Sequence, residues 1–293
     1  GPTVNFCPQL PAVLPNTARP PVALVTGASS GIGLAAAQAL LERGFTVVGA
    51  ARRQEPMAPL VPAGLQPLAL DLAEPASIAA AAERLAQDHP GGIDLLVNNA
   101  GYGVYGSVEE TPLAVARRQF EVNLFGLADL TQRLLPAMRQ RRSGRIINVS
   151  SMGGRIYAPL GAWYHASKHA LEGWSDCLRL ELADFGIHVV VVQPGIIRTN
   201  FAETMQEPLL ERSGNGPYGQ LTKILLEGFA DIYDARRSSS PNLVGSTIAA
   251  AACAAKPRSR YVVGYLARPL LLVRNLLGDR IYDSLTMANF RRR

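Results

Sequence analysis

The sequence predicts an α/β protein built on a doubly wound, parallel, seven-stranded sheet, and three observations carry that expectation. An apolar run, Val22–Thr26, leads through a glycine-rich turn into a segment of helical composition. Six further short apolar runs follow, at 45–50, 68–70, 93–97, 146–149, 187–192 and 261–263, with room for crossover helices between most of them. The run at 187–192 is apolar through Val189, Val190, Val191 and Val192, without the in-out alternation of a half-exposed strand, as expected where helices cover both faces of a sheet.

Composition bounds the rest. A chain of 293 residues, 48% hydrophobic and 18% charged, suits one large domain with a sizeable core. Residues 1–20 hold five prolines and neither a basic stretch nor an apolar core, so they read as a loose leader to a main domain over 21–264. Residues 265–293 read as an extension of that domain. Cys7, Cys177 and Cys253 are scattered, and His89, His165, His169 and His188 have no ligand spacing; a reducing, cytoplasmic setting without a metal site is expected. The formal charge is +6, but residues 256–293 carry nine Lys and Arg against Asp279 and Asp283. Basicity is therefore a property of the tail. That disfavours a nucleic-acid-binding body and leaves a membrane surface, an acidic partner or plain solubility as its meaning.

In order along the chain, Val22–Thr26 is the first strand, and Gly27-Ala28-Ser29-Ser30-Gly31-Ile32-Gly33 is a turn into a helix over 34–43. Gly27 suits a tight turn, Gly31 the close approach of a phosphate to backbone, and Gly33 close helix packing; amides and helix dipole favour a diphosphate there. Gly44 then ends the helix and 45–50 supplies the second strand, completing a βαβ unit. At that strand's end a carboxylate would bind a ribose 2′-hydroxyl, but this chain has Ala51-Arg52-Arg53, whose guanidiniums suit a 2′-phosphate and so NADP(H). Asp71 and Leu72 end the third strand, where a side chain can reach an adenine. A helix from Pro75 to about His89 precedes the fourth strand, which ends in Asn98-Asn99-Ala100-Gly101, small enough for a cofactor to lie across the sheet.

Thr111-Pro112 opens a helical region whose apolar stripe runs through Phe120, Leu124, Leu127 and Leu134 to Met138, with Asn123 inside it. The fifth strand delivers Ser150 and Ser151. A helix over 163–185 would place Tyr164 and Lys168 one turn apart on one face. A phenol beside an ammonium is a tuned proton donor: bringing its pKa from about 10 toward neutral takes roughly 4 kcal/mol, which a close cation in a dry site can supply. Alone, Tyr-x-x-x-Lys is a common pair of helix neighbours; the motifs upstream give it weight. The sixth strand leads into Pro194-Gly195-Ile196-Ile197-Arg198-Thr199, again at a carboxyl end.

Thr26-Gly27-x-x-x-Gly31-x-Gly33, Asn98-Asn99-Ala100-Gly101, Asn123, Ser151, Tyr164-x-x-x-Lys168 and Pro194-Gly195 with Thr199 together resemble the short-chain dehydrogenase/reductase family, in its shorter soluble type, over roughly residues 21–200. The resemblance implies a Rossmann fold and a hydride-transfer enzyme. In that picture Ser151 holds a carbonyl oxygen, Tyr164 is the acid or base, and Lys168 lowers the tyrosine pKa and holds the nicotinamide ribose. The Asn123 amide anchors a water on a proton path to Lys168, and Thr199 with the Ile197 backbone secures the carboxamide. Ser151 and not Ser150 is chosen because the family's serine lies thirteen residues before the tyrosine. Ser151-Met152-Gly153-Gly154 and the long C-terminal continuation are similar to the hydroxysteroid and retinol dehydrogenase side of the family, so hydrophobic ketones, aldehydes and alcohols are the implied substrates.

A helical lid is expected over about 199–235, offering Phe201 and Met205, with Tyr102, Tyr105 and Met152 as further pocket candidates. Segments 265–277 and 281–290, with Arg268, Arg274 and Arg280 interspersed, are too broken to span a membrane; they either cover the pocket or rest on a membrane surface. The resemblance also implies a homodimer or homotetramer. Two other readings remain: a 3-ketoacyl thioester reductase docking an acidic carrier protein on the basic tail, and a non-enzymatic NADP sensor, a class that usually lacks the tyrosine or lysine present here.

Overall fold

A computed structural model of the protein describes residues 19–233 and 238–291. The expected leader, except for its last two residues, and the end of the expected lid lie outside the described residues.

The strands are β1 (Val22–Thr26), β2 (Thr46–Ala51), β3 (Leu65–Ala69), β4 (Leu95–Asn98), β5 (Gly144–Val149), β6 (Ile187–Pro194) and β7 (Arg260–Val263). They form one sheet in the order β3-β2-β1-β4-β5-β6-β7, every neighbouring pair parallel. The chain winds outward from β1 to one edge, returns to the middle at β4 and winds outward to the other edge. A ligand crevice follows at the carboxyl ends of β1 and β4, where the winding reverses. Pro67 is tolerated in β3 because that strand lies at the sheet edge.

The helices are α1 (Gly31–Leu41), α2 (Pro75–Asp88), α3 (Leu113–Phe120), α4 (Gly126–Arg141), α5 (Ala162–Leu182), α6 (Phe201–Ser213), α7 (Gly219–Ile232), α8 (Pro241–Cys253) and α9 (Ala267–Arg291). Successive strand residues serve opposite faces. Ala23 and Val25 pack with Leu40 of α1 and Ile248 of α8, whereas Val22 and Leu24 pack with Ile78 of α2, Leu130 of α4 and Leu178 of α5. Helices therefore cover both faces, which is why β6 alternates between the two cores without needing polar positions.

Two local features depart from the sequence expectation, and a third agrees with it. Helix α8 had no counterpart in it: its alanine-rich inner face, with Val244, Ile248 and Ala249, packs beside α1 against the sheet, and its one local signal is Ser240-Pro241, where the serine side chain accepts from Asn242 N at 3.2 Å. The buried Arg145 donates from Nη1 to Ala251 O (2.6 Å) and from Nη2 to Ala254 O (2.9 Å), occupying carbonyls at the end of that helix. Second, the helical region after Thr111 is interrupted at Glu121–Phe125 by a π-helical turn that holds Asn123. Third, α9 consists of two helical segments joined at Gly278, whose φ of 66° and ψ of 177° are not helical, and the join falls between the segments 265–277 and 281–290 that the sequence separates.

Candidate active site

The glycine turn is closed by side chains from β1 and β4. Thr26 Oγ1 accepts from the Asn99 and Ala100 amides, both at 3.0 Å, and Asn99 Nδ2 donates to Thr26 O at 3.0 Å. A Cβ on Gly33 would sit 2.1 Å from Gly27 O, so this third glycine closes the turn on itself; the helix-packing role expected for it is not the main constraint. Gly31 has φ +52°, and a Cβ there would lie 3.2 Å from the Thr199 methyl carbon. The turn and the segment after β6 thus approach each other, and Ser29, Ser30 and Ile32 lie in the gap between glycines. Pro194, Gly195, Ile197 and Thr199 border the same space as Ile32. This backbone-walled cradle, with amides at the start of α1, fits a dinucleotide diphosphate.

Arg52 and Arg53 are exposed at the end of β2. The two residues expected at an adenine behave differently. Asp71 Oδ1 accepts from Ala73 N at 2.9 Å, closing its own turn, and the Leu72 side chain is buried in the core with Ile78 and Leu130. An apolar side chain in the turn before α2 gains more from that core than from a solvent-side ring.

On α5, Tyr164 and Lys168 are both buried, and Lys168 Nζ donates to Val149 O at 3.0 Å. Burial lowers the Lys168 pKa to about 8, against the opposing pull of Glu172. Burial pushes the Tyr164 phenol up, and the Ser151 hydroxyl beside it brings it part of the way back. The Lys168 ammonium is directed to the β5 carbonyl. Ser151 Oγ accepts from Gly153 N at 2.9 Å, so its own proton is left to donate toward Tyr164 and the cavity.

Asn123 also differs from expectation. Its Nδ2 donates to Tyr102 O (2.9 Å) and Ser167 Oγ (3.1 Å), and its Oδ1 accepts from Tyr102 N (3.1 Å). The side-chain amide expected to anchor a water is spent on protein, clamping the segment after β4 to α5. A Cβ on Gly101 would meet Asn123 Oδ1 at 3.1 Å and Lys168 Nζ at 3.6 Å, so glycine is what lets that segment pass.

Above Ser151 and Tyr164 opens a cavity of about 550 Å³. Tyr105, Met152 and Phe201 line it, as expected, together with Phe229 and Tyr233 from the lid and Tyr282 and Phe290 from α9. Among the described residues none of its lining side chains carries a formal charge. Tyr102 and Met205, expected in this pocket, border a separate depression beside Arg118 and Arg212. The reason is that Met205 faces the packed interior of the lid with Leu209 and Leu225, whereas Tyr102 is 36% exposed on the outer side. The missed lid residues had a signal: Leu221, Leu225 and Phe229 recur at helical spacing on α7.

The tail caps the cavity. Tyr282 donates to Tyr157 O at 3.0 Å, Tyr157 donates to Asp283 Oδ1 at 2.8 Å, and the Arg274 guanidinium stands 5.2 and 5.6 Å from the Tyr157 and Tyr282 ring centres. The outward face of α9 exposes Leu272, Leu276, Ile281 and Leu285. No helix among the described residues is long and apolar enough to cross a membrane.

The model for the family described as short chain dehydrogenase matches residues 21–209. The uncharacterised oxidoreductase YbbO of Escherichia coli (strain K12) is 35% identical over 262 residues, covering 89% of this chain and 92% of its own. The 3-ketodihydrosphingosine reductase of Bacteroides thetaiotaomicron is 33% identical, covering 86% and 91%. Among solved structures, a short-chain dehydrogenase from Streptomyces avermitilis aligns with a TM-score of 0.75 at 34% identity, over 92% of this chain and 96% of its own. A short chain dehydrogenase from Burkholderia cenocepacia, in complex with NADP, aligns with a TM-score of 0.71 at 26% identity, over 91% and 98%. With the matching motifs assembled at one crevice, the chain belongs to the short-chain dehydrogenase family of oxidoreductases.

Proposed function

We propose that this protein is an NADP(H)-dependent oxidoreductase that interconverts a hydrophobic ketone or aldehyde and its alcohol. The observation that carries the reading is the Ser151 hydroxyl against the Tyr164 phenol at the floor of an uncharged cavity of about 550 Å³. That volume accommodates a lipid-, steroid- or retinoid-sized substrate, and apolar walls of this kind disfavour a charged one. The relative named for reducing 3-ketodihydrosphingosine, a ketone, supports the same class.

The residues that would hold the cofactor are the Gly27 to Gly33 turn for the diphosphate, Arg52 and Arg53 for a 2′-phosphate, and Lys168 for the nicotinamide ribose. Thr199 with the Ile197 backbone would hold the carboxamide. When bound, the nicotinamide supplies or accepts the hydride. The chain does the rest. Ser151, with its acceptor side engaged by Gly153 N, points its proton at the substrate oxygen. Tyr164 hands a proton to that oxygen during reduction and takes it back during oxidation. Burial raises its pKa, so the phenol carries its proton near neutral pH.

The carrier-protein alternative loses support because part of the basic tail is used internally: Arg260 pairs with Glu172 and Asp176, and Arg274 pairs with Asp279. The outward stripe of α9 supports contact with a bilayer surface; equal flotation of the wild type and Leu272→Asp/Leu276→Asp with anionic vesicles would remove that contact from the reading. Exposed Phe125 and Leu180, next to α4 and on α5, support pairing of subunits through these helices.

The deciding experiment follows NADPH oxidation with steroid, retinal, long-chain ketone and acyl thioester substrates, using wild type and Tyr164→Phe. Turnover of an apolar carbonyl by the wild type is expected, with its loss in Tyr164→Phe while NADPH binding persists. Retained turnover in Tyr164→Phe would refute the role of the phenol.

A further inference from the structure

Glu172 stands one helical turn beyond Lys168 on α5, as Lys168 stands one turn beyond Tyr164, and only 3% of it is exposed. A buried carboxylate is expensive unless it is paired. Its partners come from three other elements. Oε1 accepts from Gln193 Nε2 on β6 at 2.9 Å. Oε2 accepts from Arg260 Nε on β7 at 3.1 Å and from Arg155 Nε, in the loop after Ser151, at 3.4 Å. Both arginines also reach Asp176, one turn further along α5.

This arrangement has a direction. Glu172 is the charged side chain one turn from Lys168 on the same helix, and among the described residues the groups placed against the ammonium are neutral: the Val149 carbonyl from β5, Gly101 after β4 and, next to that glycine, the Asn123 amide. On the same helix Tyr164 and Ser167 are neutral as well. Beyond the carboxylate lie the two guanidiniums, which draw part of its field away from the lysine. The residue before the Pro194-Gly195 segment and the loop carrying Ser151 are tied to the same carboxylate.

We propose that Glu172 is a positioning residue that keeps Lys168 protonated inside the dry site, and that Arg155 and Arg260 set how strongly it does so. The proposal rests on Lys168 serving the active site described above. Without the carboxylate, burial acts on the ammonium unopposed and Lys168 becomes neutral near physiological pH. A neutral amine still donates to Val149 O but offers no charge to a phenolate or a ribose.

The sequence contains only three lysines, and Lys223 and Lys256 are exposed, so the charge state of Lys168 is readable directly. Protein carrying lysine labelled with 13C at Cε is titrated by NMR from pH 6 to 11, with Lys168→Arg assigning the resonance. In the wild type Lys168 should titrate well below the other two. Glu172→Gln should lower its midpoint by about one pH unit or more, since removing a close opposite charge disfavours the charged form. Arg155→Gln, which leaves the carboxylate less neutralised, should move it the other way. An unmoved midpoint in Glu172→Gln, or shifts of the same sign in both variants, overturns the proposal. If Glu172→Gln does not fold, Arg155→Gln at its half-exposed position decides alone, by whether the Lys168 midpoint rises. NADPH-oxidation assays run alongside separate the two claims: shifts without carbonyl turnover refute the proposed reaction and leave the electrostatic role standing, whereas turnover without shifts does the reverse.

Discussion

Replacing Asn123 with alanine separates the two roles that the sequence and the structure give it. The structure assigns its side chain three hydrogen bonds, to Tyr102 O, Tyr102 N and Ser167 Oγ, at a position that is 1% exposed. Each such bond contributes on the order of 1 kcal/mol net, and a buried backbone group left without a partner costs about as much again or more. Ser167 Oγ keeps its bond to Tyr164 O and Tyr102 is partly solvent-exposed, so the sum stays near the lower bound, about 3 kcal/mol. At this chain length that corresponds to a fall in melting temperature of about 5 °C. Thermal unfolding followed by circular dichroism, paired with NADPH-oxidation rates at a temperature where the variant is fully folded, reads both roles. A loss of activity with a melting point within about 1 °C of wild type would refute the clamp and restore the side chain as a water anchor. Asn123→Asp sharpens the comparison, because a carboxylate accepts from Tyr102 N but cannot donate to Tyr102 O or Ser167 Oγ.

Gly33→Ala should weaken NADPH by about tenfold or more, measured by fluorescence titration, because the added carbon falls 2.1 Å from Gly27 O and the turn must open; unchanged affinity would show that the turn relaxes without consequence. Arg52→Ala should weaken NADPH far more than NADH, and equal losses would defeat the 2′-phosphate assignment. Lys168 has a folded-state pKa of about 8 against an ordinary 10.5, so the folded state binds fewer protons between those values. The penalty for burying the charged lysine, roughly 3 kcal/mol below pH 8, is then relieved as pH rises toward 10.5. Lys168→Met escapes that penalty, so its stability relative to wild type should fall between pH 7 and 9.5 in urea titrations; a gap independent of pH would contradict the burial argument.

Much of this protein is legible from the order of its residues because the relevant physics is local or periodic. The turn Gly27 to Gly33 announces itself through the residue type its backbone demands, and the strands through apolar runs that both helical layers require. Tyr164 and Lys168 share a face because helix geometry puts residues four apart together.

Other assignments depend on which surface a side chain meets after folding, and no spacing rule contains that. Leu72 and Met205 go to the interior because apolar side chains on inward faces gain more there, while Tyr102 turns outward. Helix α8 stayed hidden because its outer face offers only Asn242, Ser246 and Thr247 among alanines and Leu243, too little contrast to mark a helical period. The part of Asn123 is decided by Tyr102 and Ser167, and that of Glu172 by Gln193, Arg155 and Arg260, partners up to 88 residues away that only the tertiary structure brings within hydrogen-bonding reach. Sequence alone determined the fold class and the set of candidate reacting groups; the packing of α7 and α9 over Ser151 and Tyr164 decided the shape and polarity of the space above them, because a cavity is made by surfaces that meet only when the chain is folded.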